Sequence, residues 1–364
     1  MTRAIFLALF SLLGLLAPAS ALSPAAENIV LTENIPPVFQ WNFVQKASLP
    51  ASITETRASS ADYYNSSGVL SSAGNNTARF DYNPSAPMLQ GVLNEVAATN
   101  LLEYSGPMTN AYWTCANCTT AAGAVVAPDG ATNMLVVTAT NAANRARNGT
   151  AATVVSGQLY VCSVYASLGT GSYAGIGSTA GSCGVSYNLT GAGSISAYSG
   201  AANGCGSNHT NGFGIKLINA TTNVYRIWMT VIATSTTLQC AYGVATQNTF
   251  AGSFYPNATS GTINYALAQL ELDNGTHTPS SYIPNTTASP IVRSADSLTV
   301  LSSTTTGPSI VESQNIATGF ISRTAFAAGS FVWPTTAWVR AMAVYPSGTP
   351  LAYLNNHLTP GSRF

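Results

Sequence analysis

Along this chain, apolar and polar residues alternate with a period of two far more often than they recur at helical spacing. In "GQLYVCSVYAS" (157–167), Tyr160, Cys162, Val164 and Ala166 fall on one face. In "NVYRIWMTVIAT" (223–234), Tyr225, Ile227, Met229 and Val231 share one face, and Arg226, Trp228 and Thr230 share the other. "TLQCAYGVAT" (237–246) reads the same way. Runs rich in Gly, Ser and Asn, such as "SGAANGCGSNHTNG" (199–212), separate these segments as loops. The best helical candidate beyond the N-terminus, "LQGVLNEVAATNLL" (89–102), is short and interrupted. Many strands with almost no helix predict an all-β chain built as a jelly-roll β-sandwich.

Four segments are expected. Residues 1–21, "MTRAIFLALFSLLGLLAPASA", carry one positive charge, an apolar run from Ala4 to Leu16 and a small-x-small site at Ala19-Ser20-Ala21. This reads as a secretory signal peptide cleaved after Ala21. The alternative, a retained anchor, meets the difficulty that the run is too short to cross about 30 Å of hydrocarbon. Residues 22–84 read as an extended, proline-punctuated segment with a β-hairpin, 85–290 as the main sandwich, and 291–364 as a β segment too short for a sandwich of its own.

Composition narrows the partners. Nearly half of the 364 residues are apolar, so the chain can bury a real core, yet only 7% are charged and the formal net charge is zero. Lysine occurs only at Lys46 and Lys216. A nucleic-acid partner calls for a basic stripe to replace counterions, and none is present. The six cysteines, Cys115, Cys118, Cys162, Cys183, Cys205 and Cys240, suit an oxidising compartment. Cys162 and Cys240 sit mid-strand and are candidates to bridge neighbouring strands; Cys183 with Cys205 would close a hairpin-sized loop, and Cys115 with Cys118 would complete the set. The last pair reads equally as two free thiols. A zinc site lacks a second ligand pair, since His209, His277 and His357 are isolated from one another.

Several stretches, taken together and in order, resemble the non-catalytic lectin-like β-sandwich modules of phage tail and head fibre proteins and their prophage relatives. They are "ITETRASSADYYNSSGVL" (53–70), "ARFDYNP" (78–84), "GVLNEVAATNLLEYS" (91–105), "AYW" (111–113), "APDGAT" (127–132), "NVYRIWMTV" (223–231) and "AQLELDNGTHTPSSYIPNTTASPIVRSAD" (268–296). "WVRAMAVYPSGTPLAYLNNHLT" (338–359) resembles the end of a concanavalin-A-like domain, here a remnant of a second domain. The resemblance implies a jelly roll that binds glycan or cell-envelope polysaccharide, or a virion-type structural or adhesive fibre component. Two features depart from that family: the signal peptide and the number of cysteines. Both point to a module carried by a secreted or envelope protein, virion-associated if prophage-encoded. A homo-oligomer is compatible with this reading.

The candidate sites follow. In "QLELDNGTHTPSSYIP" (269–284), Ala266, Ala268, Leu270 and Leu272 alternate with Gln269, Glu271 and Asp273, which places one face inward and the acids outward. Related jelly rolls often hold a structural calcium near their first and last strands, which implies Glu271 and Asp273 as ligands, with Asn100 or Glu103 as partners. The alternative is solvated acids that end a strand. No other cofactor is indicated. For sugar stacking the candidates are Trp113 and Trp228, with Arg226 and Thr230 beside Trp228, and Phe254 and Tyr255 in a loop. Core packing competes for all four aromatics. Catalysis is not expected. No carboxylate occurs between Asp129 and Glu271, and Glu95 with Glu103 or Glu271 is the least unsuitable pair for glycoside hydrolysis.

Overall fold

The alternating segments form strands whose two faces meet different surroundings. The computed structural model describes residues 35–148, 151–178, 183–199, 212–247, 256–300, 306–355 and 358. The described residues from Pro37 onward form one compact unit. The expected signal peptide lies outside the described residues. The chain is all-β, and among the described residues Leu351–Asn355 is the one helix. The interrupted segment at 89–102 supplies two strands, Leu89–Asn94 and Ala98–Asn100.

Two six-stranded antiparallel sheets make a β-sandwich. The front sheet runs Phe213–Asn219, Val224–Ile232, Leu159–Leu168, Thr262–Leu272, Asn133–Ala139, Cys118–Val126. The back sheet runs Ser194–Ser199, Cys183–Asn188, Tyr173–Ser178, Cys240–Val244, Arg145–Asn148, Trp113–Ala116. Tyr160, Cys162, Val164 and Ala166 enter the core between them, as do Tyr225, Ile227, Met229 and Val231. Period two puts successive side chains on opposite faces, so the remaining half of each strand must find other cover. On the front sheet it does: Tyr165, Ile218, Val224, Ala266 and Leu267 pack outward against Leu70 of the hairpin Ala61–Tyr64/Leu70–Ala73 and against Tyr282. Leu267 has a left-handed φ of 55° at a register shift opposite Ser163/Tyr165. This bulge moves Ala266 to the outer face, whereas Ala268 and Leu270 point into the core.

A third antiparallel sheet runs Ile321–Phe326, Ser309–Asn315, Ala337–Val344, Leu89–Asn94, Phe80–Tyr82, with Phe39–Asn42 also paired to Ala337–Val344. Strands from both sides of residue 290 therefore share one sheet, and Ile53–Thr56 pairs with Ser297–Val300. The sheet has its own core around Phe43, Val92, Val311, Val339 and Met342.

Two disulfides are formed as the sequence suggests, Cys115–Cys118 and Cys162–Cys240. The second differs in one respect. Cys162 belongs to the front sheet and Cys240 to the back sheet, with Cα atoms 6.1 Å apart, so the bridge crosses the sandwich instead of joining neighbouring strands. Cys183 is buried and disulfide-bonded, and Cys205 lies outside the described residues.

Six of the chain's 12 basic and 12 acidic side chains gather in one buried cluster: Arg57, Arg79 and Arg293 with Glu55, Glu95 and Asp296. Asp296 accepts Arg57 at 2.8 Å and also pairs with Arg79, while Arg79 reaches Glu95 at 2.8 Å and Arg293 lies 3.6 Å from the same carboxylate. Arg57 lies 3.6 Å from Glu55, whose two oxygens accept no hydrogen bond. The cluster joins the strand Ile53–Thr56, the open end of the antiparallel Phe80–Tyr82/Leu89–Asn94 pair and the segment leaving the sandwich.

Replacing both Cys162 and Cys240 by Ala should lower the unfolding free energy by about 4 kcal/mol, the loop-entropy value for a cross-link of this span, measured by urea unfolding. A loss below about 1 kcal/mol would contradict that role. The ion cluster gives a pH signature. Burial, then Asp296, pushes the Glu55 carboxyl from 4.5 up to about 7, so its contribution to folding is full below pH 4.5 and declines as pH rises to 7. Glu95 has the opposite sign: burial alone would raise it, but Arg293 and Arg79 outweigh that and bring it to about 2. Its contribution is present above pH 4.5 and is lost as pH falls towards 2. Glu55→Gln should therefore stabilise the protein at pH 8 by roughly 1–3 kcal/mol and leave it unchanged at pH 4; a lower melting temperature at pH 8 would refute the assignment.

Candidate functional site

Between the outer face of the front sheet and the third sheet lies a cavity of about 370 Å³. Its front-sheet side is made by Tyr165, Lys216, Arg226 and Trp228, and its third-sheet side by Asp81, Gln90, Leu93, Gln314 and Trp338. Tyr63, Tyr64 and the segment from Thr278 to Tyr282 complete the lining.

The segment is held by the carboxylates of the "QLELDNGTHTPSSYIP" stretch and of the ion cluster. Glu271 accepts the Ser280 amide at 2.7 Å and its hydroxyl at 2.6 Å, and Gln269 donates to the same carboxylate at 2.9 Å. Glu95 accepts the Ser281 amide at 2.8 Å and its hydroxyl at 2.7 Å. Two consecutive serines are thus clamped by two buried acids. Here the expected exposure of Gln269 and Glu271 is corrected: both are buried, because the outer face of the front sheet is covered by this returning segment and not by water. Burial raises the pKa of Glu271, and the serine hydroxyl, Arg226 and Gln269 work against that rise.

Asp273 positions the turn that follows it and leads into that segment. Its Oδ1 accepts the His277 amide at 2.9 Å and its Oδ2 lies 2.9 Å from His277 Nδ1, fixing His277 at a left-handed φ of 59°. The His277 carbonyl in turn accepts the Trp228 indole N–H at 3.1 Å. The indole lies flat over Gly214, its strand partner, where a Cβ would come within 1.9 Å of the ring. Arg226 donates to the Ser280 carbonyl at 2.7 Å and the Ser163 hydroxyl at 3.3 Å, with its guanidinium 5.4 Å from the Tyr165 ring centroid. The Tyr165 and Tyr64 hydroxyls share a hydrogen bond of 2.8 Å. Asp81 accepts the Tyr64 amide at 2.7 Å on one oxygen and the Trp338 indole N–H at 2.8 Å on the other. Burial raises its pKa, opposed by those bonds and by Lys216.

Of the expected sugar contacts, the structure brings Arg226 and Trp228 together in this cavity, with Thr230 buried further along the strand. Trp113 does not join them. It stands on the edge strand of the back sheet, buried against Tyr112 and Tyr242 at ring distances of 5.6 and 6.1 Å, with its N–H donated to the Tyr104 carbonyl at 2.9 Å. Its environment is that of a packing residue. Phe254 and Tyr255 lie outside the described residues.

The expected calcium ligands do not converge. Glu271 and Asp273 are committed as described, and Asn100 is buried, accepting the Leu102 and Leu270 amides and donating to the Ala268 and Ile283 carbonyls. Glu103 is partly exposed and shares none of these bonds. Among the described residues, no three His, Cys, Asp or Glu side chains gather as a metal site. Sequence reasoning missed Lys216, Asp81, Gln90, Gln314 and Trp338. Lys216 carried one usable signal, as one of two lysines placed on a strand next to the Arg226 strand.

Comparison with protein-family models gives no match, and comparison with curated proteins gives no significant match. Gly214→Ala should displace the Trp228 indole and cost about 1–3 kcal/mol, as overpacking does, with a red shift in tryptophan emission. Unchanged stability and emission would show that the ring is not fixed by Gly214.

Proposed function

We propose that this protein is a non-catalytic, lectin-like carbohydrate-binding protein whose sandwich is of jelly-roll type, related to the modules of phage fibres and acting at a cell surface or envelope polymer. The observation that carries this reading is the cavity itself, where the pinned indole of Trp228 stands beside Arg226 and opposite Trp338, Gln90 and Gln314. A flat aromatic face covers the apolar face of a pyranose, while amides and a guanidinium meet its hydroxyls. The volume falls within the roughly 300–1,000 Å³ typical of ligand pockets. A non-catalytic role is supported by the cavity's two carboxylates. Asp81 and Glu95 bond to Tyr64, Trp338, Ser281 and Arg79, the contacts of bracing groups and not of a free acid–base pair.

A second reading, a structural or adhesive fibre component, is favoured by the strand Cys118–Val126. It edges the front sheet with nine uncharged, mostly exposed residues, the kind of edge that pairs with another copy. Glycan-array binding followed by calorimetry separates the two. Trp228→Ala should weaken binding at least about fivefold with the fold retained, whereas Trp113→Ala should lower stability by about 3–5 kcal/mol and leave the affinity of the folded protein unchanged. A folded protein that binds no glycan and forms a concentration-dependent oligomer would favour the fibre reading.

A further inference from the structure

The cavity places its two cations side by side. Lys216 and Arg226 are direct partners across adjacent antiparallel strands, a pairing that is unfavourable when nothing compensates it. Lys216 Nζ forms no hydrogen bond or ion pair with a described residue, and it stands 5.8 Å from the Trp338 ring centroid. No hydrogen bond joins it to the nearby acid, Asp81, whose two oxygens accept from Tyr64 and Trp338. Lys216 is an exposed residue, whereas Arg226 Nε is buried without a partner, as is Gln90 Oε1 on the opposite wall. These are groups prepared to bind a molecule that carries both negative charge and hydroxyls.

The charges facing the cavity can be counted by element. The front sheet contributes Lys216 and Arg226, and the third sheet contributes Asp81. Glu95 also reaches the lining but is held by Arg79 and Arg293 of the ion cluster. Glu271 lies behind Ser280 with its oxygens committed to Ser280 and Gln269. Arg340, which donates to Gln314 at 3.0 Å, shares the Glu312 carboxylate with Arg323, at 3.2 and 2.9 Å, and all three lie outside the cavity lining. Two cations against one carboxylate leave room for a single negative charge. A dianion such as a phosphate monoester would overshoot that balance beside Asp81.

We propose that the cavity selects acidic carbohydrate, a sugar ring bearing one carboxylate, and that Lys216 and Arg226 hold that carboxylate while Trp228, Gln90 and Gln314 meet the ring; this rests on the carbohydrate reading above. Desolvation at the cavity wall pushes the Lys216 ammonium below its ordinary pKa, with Asp81 opposing and Arg226 adding to the shift. An entering carboxylate reverses that penalty. Hydrogen bonds to charged groups are the stronger class, so the discrimination is expected to be large.

The test is calorimetric titration of the full chain with polygalacturonate, alginate and hyaluronan, each beside its carboxyl-reduced, neutral form. The expected result is about tenfold tighter binding of at least one acidic polymer than of its reduced form. That ratio should approach one in Lys216→Gln and persist in Lys46→Gln, both checked for parental melting temperature. Equal binding of acidic and reduced forms overturns this inference and leaves the carbohydrate reading standing. So does a preference that survives Lys216→Gln. Binding to no polymer, acidic or neutral, overturns both readings together.

Discussion

The constraint on which the rest of the structure depends is the burial of Arg57, Arg79 and Arg293 with Glu55, Glu95 and Asp296 in a chain that has few charges to spend. Removing ions from water is expensive, and a buried pair roughly breaks even against a well-packed apolar substitute, whereas removing one partner costs about 3–5 kcal/mol. The cluster is therefore better understood as a device for position than as a source of stability. It fixes where the hairpin, the third sheet and the segment leaving the sandwich meet. No apolar contact would define that junction so narrowly, since hydrophobic burial is non-directional.

From that junction the site is built by a short chain of contacts. Glu95, held by Arg79 and Arg293, holds Ser281; Glu271, on the front sheet, holds Ser280; and the Ser280 carbonyl receives Arg226. Asp273 sets His277, whose carbonyl receives Trp228. The acids at the end of the long strand act as internal braces, and they deliver a guanidinium and an indole to one wall. The opposite wall comes from a sheet whose Trp338 is braced by Asp81. Arg226, Trp228, Ser281 and Trp338, which shape the cavity, are each fixed by a buried carboxylate or a backbone group. Lys216 stands apart, with no such bond.

How much of this was legible in the sequence follows from what period two can and cannot reveal. The alternation in 157–167 and 223–234 identified the inward faces residue by residue, because a side-chain period of two is local and depends on no partner. The pairing of Cys162 with Cys240 was legible from their mid-strand positions, but not that it joins two sheets, since strand order is a long-range property. The alternation also separated Gln269 and Glu271 from the core face, yet it gave no sign that the second face was covered. That cover comes from residues 278–282 and from strands on both sides of residue 290. The bulge at Leu267 was hidden as well, because Ala266 and Leu267 satisfy either face. Trp113 and Trp228 looked alike in sequence; only the neighbours, Tyr112 and Tyr242 in one case and Gly214 and the cavity in the other, distinguish them.

The two lysines allow the central claim, that the cavity between the front and third sheets is where carbohydrate binds, to be tested without altering the protein. Lys216 lines the cavity, and Lys46 lies over Trp41 on a loop beside the third sheet's strand Phe39–Asn42, outside the cavity lining. Amine labelling read by mass spectrometry, with and without a saturating glycan from the array, compares them directly. The account predicts that bound glycan protects Lys216 while Lys46 labels as before. Undiminished labelling of Lys216 under saturating glycan would contradict it.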